Sequence, residues 1–241
     1  MPISPTVRQL LHRIAGANYV AAHQVAMQLW LAFSLLSDAV AVAAQSLMSE
    51  AFASQEILRG GRHSAGCSER RSSDAGQTHK APLPPNAATH VGDQVLVMGV
   101  GLGALLATTI LCISPVIPVV FTVDPAVQGI LASLIMVVAA TQPLNAIAFV
   151  LDGVLYGASG FRHSVFVMTL SAAPAMAVMM SVEWAHLTGM AALRAIWAGL
   201  ALFMGLRGLI IFAMYTRRMR PFDKLTPSSQ PLRASLSGNP V

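Results

Sequence analysis

Long apolar runs limit what this sequence can fold into more than any other feature. Five of them can be drawn, at Val20–Met48, Val95–Val123, Ala126–Leu151, Val165–Val182 and Ala191–Tyr215. A run of about 20 apolar residues is long enough to cross the hydrocarbon core of a bilayer as a helix. Backbone groups must be satisfied internally there, and the runs lack the alternation of barrel strands. The sequence therefore predicts an all-α integral membrane protein with about five transmembrane helices.

The composition agrees with a membrane protein. Hydrophobic residues make up 55% of the chain and charged residues only 10%, whereas a soluble domain carries about 25% charged residues. The net charge is +5, which in another context could indicate nucleic-acid binding. Most of the Lys and Arg residues lie in loops and in the C-terminal tail, where membrane topology explains them better. We expect a lipid bilayer as partner and no nucleic acid.

The chain divides into sections of contrasting composition. They are a lead-in (1–18), a first transmembrane helix with its end (19–53), a polar insert (54–94), four further transmembrane helices (95–216) and a basic tail (217–241). The insert is rich in Gly, Ser, Pro and charge and cannot bury a core, so we expect it and the tail to be disordered. Its His and Cys residues match no standard zinc spacing, and no metal site is expected.

Basic residues predict the orientation in the membrane. They concentrate in the insert, in the loop after the third run and in the tail: Arg59, Arg62, Arg70, Arg71, Lys80, Arg162, Arg217, Arg218, Arg220, Lys224 and Arg233. By the positive-inside rule these three segments lie on the cytoplasmic or stromal side, with the N-terminus opposite. An odd number of spans with that orientation is unusual for a complete carrier, so we expect that an upstream segment is missing.

Polar side chains within the first run fall on one side of the predicted helix. At about 100° per residue, an arc of roughly 120° contains Gln24, Gln28, Ser34, Asp38 and Gln45. A carboxylate at mid-span costs about 2.5–3.5 kcal/mol on insertion scales, so it should face protein or a wet cavity. Two interpretations stay open: a water-lined pathway, or a stripe that joins helices through hydrogen bonds.

The third run, "TQPLNAIAFVLDGVLYG", carries a second polar set. Gln142, Asn145 and Asp152 lie near one helical face, and Pro143 removes a donor and frees a carbonyl near residue 139. A helix broken at Pro143 beside polar side chains is the usual construction of a carrier's binding site. The alternative is a tolerated kink with Asp152 at the membrane interface.

Further patterns concern helix packing and charge. The spacings Gly99-x3-Gly103 and Gly153-x3-Gly157 permit close helix approach. Arg207, within the fifth run, either extends to the cytoplasmic interface or faces a cavity and contacts an anionic substrate. No nucleophile, zinc or phosphate-binding motif is found in the sequence, so we do not expect an enzyme.

Two segments resemble the second half of a MATE (multidrug and toxic compound extrusion) transporter. They are "AAHQVAMQLWLAFSLLSDAVAVAAQSLMSEAFA" and "ATQPLNAIAFVLDGVLYGASGF". The resemblance covers about Ala17–Tyr215 apart from the insert, and it is strongest to the plant and algal branch with citrate exporters and chloroplast-envelope members. It implies helices 8–12 of a twelve-helix fold of two lobes. It also implies export of organic anions or drugs in exchange for H⁺ or Na⁺, across the plasma membrane or chloroplast envelope, with no cofactor.

The resemblance also bears on individual residues. The family's acid on the seventh helix has no counterpart here, and alignment on Gly153 puts Asn145 where several plant relatives carry a proton-binding Asp on the tenth helix. Asp38 or Asp152 would then bind the proton, and protonation of Asp38 would shift the balance between outward- and inward-facing states. Neutral hydrogen bonds to the substrate, or to the Asp38 carboxylate, would come from the amides Gln24, Gln28, Gln45, Gln142 and Asn145.

Two hypotheses of function follow. The first is a fragment of a MATE-type antiporter, whose partner would be the missing N-terminal lobe. The second is a non-transporting membrane protein that assembles with, or regulates, a full-length carrier through its small-residue helix faces.

Overall fold

A computed structural model of the chain describes residues 16–64 and 87–225. The α-helices in these ranges are α1 (Ala17–Ser64), α2 (Ala87–Ile113), α3 (Ile117–Phe121), α4 (Pro125–Gly157), α5 (Phe161–Trp184) and α6 (Gly189–Thr216), and a 3₁₀ helix follows at Phe222–Leu225. Within the described ranges, five α-helices, all except α3, are long and apolar enough to cross a membrane. The predicted fold class, all-α with about five transmembrane helices, is confirmed.

Helix α4 is the centre of the bundle. It packs against α1, α2 and α6, while α5 packs mainly against α6. Because α4 is enclosed on several sides, its apolar residues are buried over most of its length, from Val127 to Leu155. The polar side chains Gln142, Asn145 and Asp152 of α4 are therefore held inside the protein.

Glycines set the distance between α4 and two of its neighbours. A methyl group added at Gly153 would overlap the carbonyl oxygen of Ala41 on α1, and one added at Gly157 would lie 2.7 Å from the Gln45 carbonyl oxygen. On α2, a methyl group at Gly103 would lie 2.6 Å from the Cα of Pro143. The prediction that both glycine pairs permit close helix approach is confirmed.

The buried apolar residues form two clusters toward opposite ends of the bundle. One contains Met48, Leu155 and Tyr215, and the other contains Trp30 and Trp197. Between them the buried residues include polar side chains: Ser34, Ser37, Gln142, Asn145, Asp152 and Arg207. A polar layer at this depth is costly in a membrane unless its groups are satisfied by one another or by a ligand.

The second predicted span is shorter at its C-terminal end than expected. The prediction ran to Val123, but α2 ends at Ile113 and a turn separates it from the short helix α3. Pro115 and Pro118 explain the difference, because each lacks the backbone N–H that would continue the helical ladder.

The prediction that the helix is broken at Pro143 is wrong. Helix α4 runs without interruption from Pro125 to Gly157 with Pro143 inside it. The Thr141 hydroxyl donates a hydrogen bond to the Val138 carbonyl at 2.9 Å, next to the carbonyl that loses its donor to the proline. Side-chain hydroxyls and close neighbours are the usual reasons that a membrane helix tolerates an internal proline.

Both helices beside the predicted insert are longer than expected. Helix α1 continues to Ser64 and α2 begins at Ala87, so ordered backbone enters the range 54–94 from each end. Residues 65–86 of the insert, with its Cys67 and His79, lie outside the described residues, as do the lead-in before Gly16 and the tail beyond Leu225.

Candidate functional site

A cavity of about 200 Å³ lies where α1, α4, α5 and α6 meet. Its polar lining consists of Asp38, Gln45, Asp152 and Arg207, and its other walls include Phe149, Tyr156 and Met168. Four side chains singled out in the sequence, from three different helices, thus face one space. The two residues on α1 lie more than a hundred residues before Asp152 and Arg207 along the chain, so their grouping depends on the helix packing.

An ion pair joins α4 and α6 at this cavity. Arg207 Nη2 lies 3.2 Å from Asp152 Oδ2, and both side chains are almost fully buried, with exposed fractions of 6% and 8%. Asp152 Oδ1 and Arg207 Nε have no hydrogen-bond partner among the described residues. A buried pair holds each charge only while the other remains, and this pair leaves one acceptor oxygen and one donor N–H without a partner among the described residues.

Aromatic and sulfur groups complete the surroundings of the arginine. The guanidinium carbon lies 5.2 Å from the centroid of the Phe149 ring and 5.5 Å from that of Phe203, and Nη1 lies 4.0 Å from Sδ of Met168. Rings at this distance attract a cation through their quadrupole. The alternative in which Arg207 extends to the cytoplasmic interface is therefore wrong, because its guanidinium is buried beside Asp152 inside the bundle.

Asp152 is likewise not an interfacial residue. Its side chain is buried beside Arg207, and Gly153, the next residue, packs against the backbone of α1. The alternative in which a kink leaves Asp152 at the membrane surface is wrong. The close contact at Gly153 explains this, since it draws this part of α4 into the bundle.

Asp38 lies on α1 and contributes the second carboxylate of the cavity. It is exposed in this structure, and no hydrogen bond or ion pair joins it to another described residue. Gln45, two turns further along α1, is half-buried and lines the same space. With two carboxylates and one guanidinium in its lining, the cavity carries one uncompensated negative charge when both acids are ionised.

Other predicted site residues lie away from the cavity. Asn145 Nδ2 donates to Ser34 Oγ at 2.7 Å, and Ser34 Oγ donates to the Trp30 carbonyl at 2.7 Å. These contacts join α4 to α1, which is the helix-joining interpretation of the polar stripe. Gln142 is fully buried, and neither of its side-chain polar atoms has a hydrogen-bond partner in the described part of the chain.

The remaining predicted site residues also lie outside the cavity. Gln24 is half-buried and Gln28 exposed, and they precede Asp38 by about 21 and 15 Å along a regular helix. Pro143 packs against Gly103 of α2. The structure thus brings together Asp38, Gln45, Asp152 and Arg207, and leaves Gln24, Gln28, Gln142, Pro143 and Asn145 outside this cavity.

Sequence reasoning missed five wall residues of the cavity: Ala41, Val42, Phe149, Tyr156 and Met168. Phe149 and Tyr156 lie three residues before and four residues after Asp152, so helical spacing could have found them. Ser164 of α5 donates to the Tyr156 hydroxyl at 3.0 Å, which fixes the ring. No signal in the sequence pointed to Met168, because its place depends on how α5 packs against α6.

Within residues 16–64 and 87–225, no group of three or more His, Cys, Asp or Glu side chains is placed to hold a metal ion. The cavity lining has two carboxylates, an amide and a guanidinium. The arrangement suits reversible binding of a proton or a small cation at a carboxylate.

Comparison with known proteins identifies the family. The family model described as MatE matches residues 84–182. Among curated proteins, Protein DETOXIFICATION 43 of Arabidopsis thaliana is 33% identical over 194 residues, which is 80% of this chain and 31% of the relative. Protein DETOXIFICATION 45, chloroplastic, of the same plant is 29% identical over 220 residues, 91% of this chain and 33% of the relative. No solved structure matches the chain.

The extent of these matches agrees with the fold. The chain spans about a third of the length of the curated relatives it matches, and the family match includes α2, α4 and most of α5. Together with five helices that can cross a membrane, these similarities show that the chain is a membrane protein of the MatE family.

Proposed function

We propose that the chain forms part of a MATE-type antiporter and that the cavity between α1, α4 and α6 lies on the path of its solute and coupling ion. The observation that carries the proposal is the grouping of Asp38, Asp152 and Arg207 in one cavity within membrane-spanning helices. Ionisable residues inside a membrane are costly, and they commonly mark ion or substrate pathways.

In this proposal the two carboxylates have different roles. Arg207 lies 3.2 Å from Asp152, so Asp152 already has an ion-pair partner and its role is to position the guanidinium. Asp38 has no such partner among the described residues, which makes it the acid whose charge is free to change. Binding of H⁺ or Na⁺ at Asp38 would remove the uncompensated charge and favour one of the two access states.

The charge of the cavity also bears on the solute. Organic anions and drugs both belong to the range implied by the resemblance. An organic anion would need Arg207, whose guanidinium is engaged by Asp152 and enclosed by Phe149 and Phe203. A cationic solute would find a free carboxylate and aromatic walls, which attract cations. The geometry therefore favours a cationic solute over an organic anion.

The partners follow from the length of the chain. Since the chain spans about a third of its relatives, we propose that the rest of the transporter, including an N-terminal lobe, completes the solute path. Two of the relatives carry "chloroplastic" in their names, so the chloroplast envelope is a candidate membrane alongside the plasma membrane.

The test is a transport assay on a chimera. In Protein DETOXIFICATION 43, the segment that aligns with this chain over 194 residues is replaced by the matching part of this chain. Flux through the chimera is then measured in proteoliposomes with a cationic dye and with citrate. Separate H⁺ and Na⁺ gradients identify the coupling ion. We expect gradient-driven dye flux that falls at least about tenfold in Asp38→Asn, because an amide at this position cannot gain and lose a charge as the coupling ion leaves and binds.

Asp124→Asn is the matched control, because it makes the same change at the N-cap of α4, outside the cavity, where Asn caps a helix as well as Asp does. Full gradient-driven flux in Asp38→Asn would contradict the role of Asp38. A chimera that folds but transports neither solute, while the 241-residue chain co-purifies with the intact relative, would support the alternative of a non-transporting partner.

A further inference from the structure

A second, larger space lies on the other side of α4, in a groove between α2 and α6. Its volume is about 700 Å³, and its lining is apolar throughout, including Val97, Val100, Leu144, Gly205, Leu209 and Phe212. Val97 and Leu209 are 72% and 63% exposed, so the groove is open to the outside of the bundle. A solute site normally needs a few polar groups that fix orientation, and this lining supplies none.

The groove is short enough to fit within one leaflet of a membrane. Along α6 it extends from Met204 to Phe212, a rise of about 12 Å, and the helix end at Thr216 is about 6 Å further. The distance from Met204 to the helix end is therefore about 18 Å, close to the roughly 15 Å thickness of one leaflet. A lipid chain in the groove would have its headgroup at the level of Thr216.

The end of the groove is closed by a polar junction between the same two helices. The Tyr215 hydroxyl donates to Asp93 Oδ1 at 2.8 Å and lies 3.2 Å from the Thr89 carbonyl oxygen. Phe212 and Leu96, one turn away from Tyr215 and Asp93, line the groove itself. The apolar groove and the polar junction are therefore continuous.

Arg218 lies at this junction, and Arg217 precedes it at the end of α6. The guanidinium of Arg218 lies 5.3 Å from the centroid of the Tyr215 ring, which places it over the contact between α6 and α2. Arg217 is exposed and has no ion pair within the described ranges, whereas Arg220 lies 3.7 Å from Asp223. Arg217 and Arg218 bring two positive charges to this end of α6 against the one negative charge of Asp93, which leaves a net positive charge at the level where a headgroup would lie.

We propose that this groove binds an anionic glycerophospholipid, with one acyl chain between α2 and α6 and its phosphate at Arg217 and Arg218. Burial of methylenes in the groove and the two cationic side chains would act together. Basic sites between transmembrane helices on the cytoplasmic side are suited to anionic headgroups, and guanidinium groups match phosphate geometry. The proposal concerns α2 and α6 and is independent of the solute cavity.

Native mass spectrometry of the detergent-purified 241-residue chain tests the proposal with phosphatidylglycerol and phosphatidylcholine that carry the same acyl chains. We expect about tenfold stronger retention of phosphatidylglycerol, and loss of that preference in the double variant Arg217→Gln with Arg218→Gln. Arg194→Gln, at the opposite end of α6, should keep it.

Two glycines offer sites for a substitution that fills the groove and for its control. A Cβ atom added at Gly205, which lines the groove, or at Gly101 of α2, which does not, would meet no atom within 4 Å. Gly205→Leu should lower phosphatidylglycerol retention at least fivefold, and Gly101→Leu should leave it unchanged. Far-ultraviolet circular dichroism checks that both variants keep their helicity.

A phosphatidylglycerol analogue with a photoreactive acyl chain locates the contact. Labelling at Val97, Val100, Leu209 or Phe212 supports the proposal. Equal retention of the two lipids, or a preference that survives both Gly205→Leu and the double arginine variant, overturns it. A dimer that dissociates in Gly205→Leu, with no label in the groove, would instead assign the groove to a second copy of the chain.

Discussion

Arg207 is the residue on which the electrostatics of the cavity depend. Its guanidinium lies between Asp152 and two phenyl rings, and only 6% of its side chain is exposed. Removing one member of a buried pair leaves the other charge without compensation, which is far costlier than removing both. The pair therefore behaves as one unit, and single and double substitutions should have different effects.

We predict that Arg207→Met lowers the free energy of unfolding by about 3 kcal/mol, because Asp152 is left as a buried carboxylate without a partner. The double variant Arg207→Met with Asp152→Asn should recover most of this loss. Unfolding in mixed detergent and dodecyl sulfate, followed by circular dichroism, measures both, with the exposed Arg194→Met as control. Equal losses in the single and double variants would show that the ion pair does not matter for stability.

Residue types could be predicted from the sequence more easily than residue contacts. Asp38, Asp152 and Arg207 were all recognised because charge within an apolar run is rare. The partner of each charge could not be predicted, since Asp152 and Arg207 belong to different helices whose rotation depends on packing. For the same reason the sequence left Asn145 as a site residue, while the structure pairs it with Ser34.

At the scale of the helix, close contact between α1 and α4 decides which side chains reach the cavity. Gly153 and Gly157 lie directly against the backbone and side chains of α1, from Ala41 to Met48. The Gly153 contact lies beside Asp152 on α4 and, through Ala41, between Asp38 and Gln45 on α1. A larger residue at either glycine would separate the helices and widen the cavity.

We predict that Gly153→Ala lowers the free energy of unfolding by about 1–3 kcal/mol, because the added methyl group overlaps the Ala41 carbonyl oxygen. Gly101→Ala is the matched control. It adds the same group to a helix at a position with open space, and the gain in helix propensity should make it neutral or stabilising by up to about 1 kcal/mol. If both variants lost the same stability, the close approach at Gly153 would not be limiting.

The sequence predicts which segments are long helices, but it does not predict where those helices end or whether a proline interrupts them. Apolar length predicted every long helix in the described ranges. The prolines were harder to interpret: Pro115 and Pro118 end α2 and separate it from α3, whereas Pro143 lies within an unbroken α4. The difference is one of surroundings, since Pro143 is packed between helices and the Thr141 hydroxyl satisfies a carbonyl beside it.

At the scale of the whole molecule, contacts between segments show which helix ends share a side. Gly160, before α5, approaches Pro221 after α6. Tyr215 near the end of α6 bonds Asp93 near the start of α2. These ends carry Arg162 and the Arg217–Arg218 pair, so the basic residues of separate loops lie on one side of the bundle, as the topology prediction requires.

We predict that this basic side faces the cytoplasm or stroma. In a background with Cys67→Ser and Cys112→Ser, a membrane-impermeant maleimide should label Ser159→Cys, in the turn beside Arg162, only from that side. Val123→Cys, which is 95% exposed before α4 and has no basic neighbour, should react only from the other side. The two sites are separated by the whole of α4, about 50 Å for 33 residues, so one bilayer must lie between them. Labelling of both from the same side would mean that α4 does not span, and reversed labelling would mean that charge does not set the orientation.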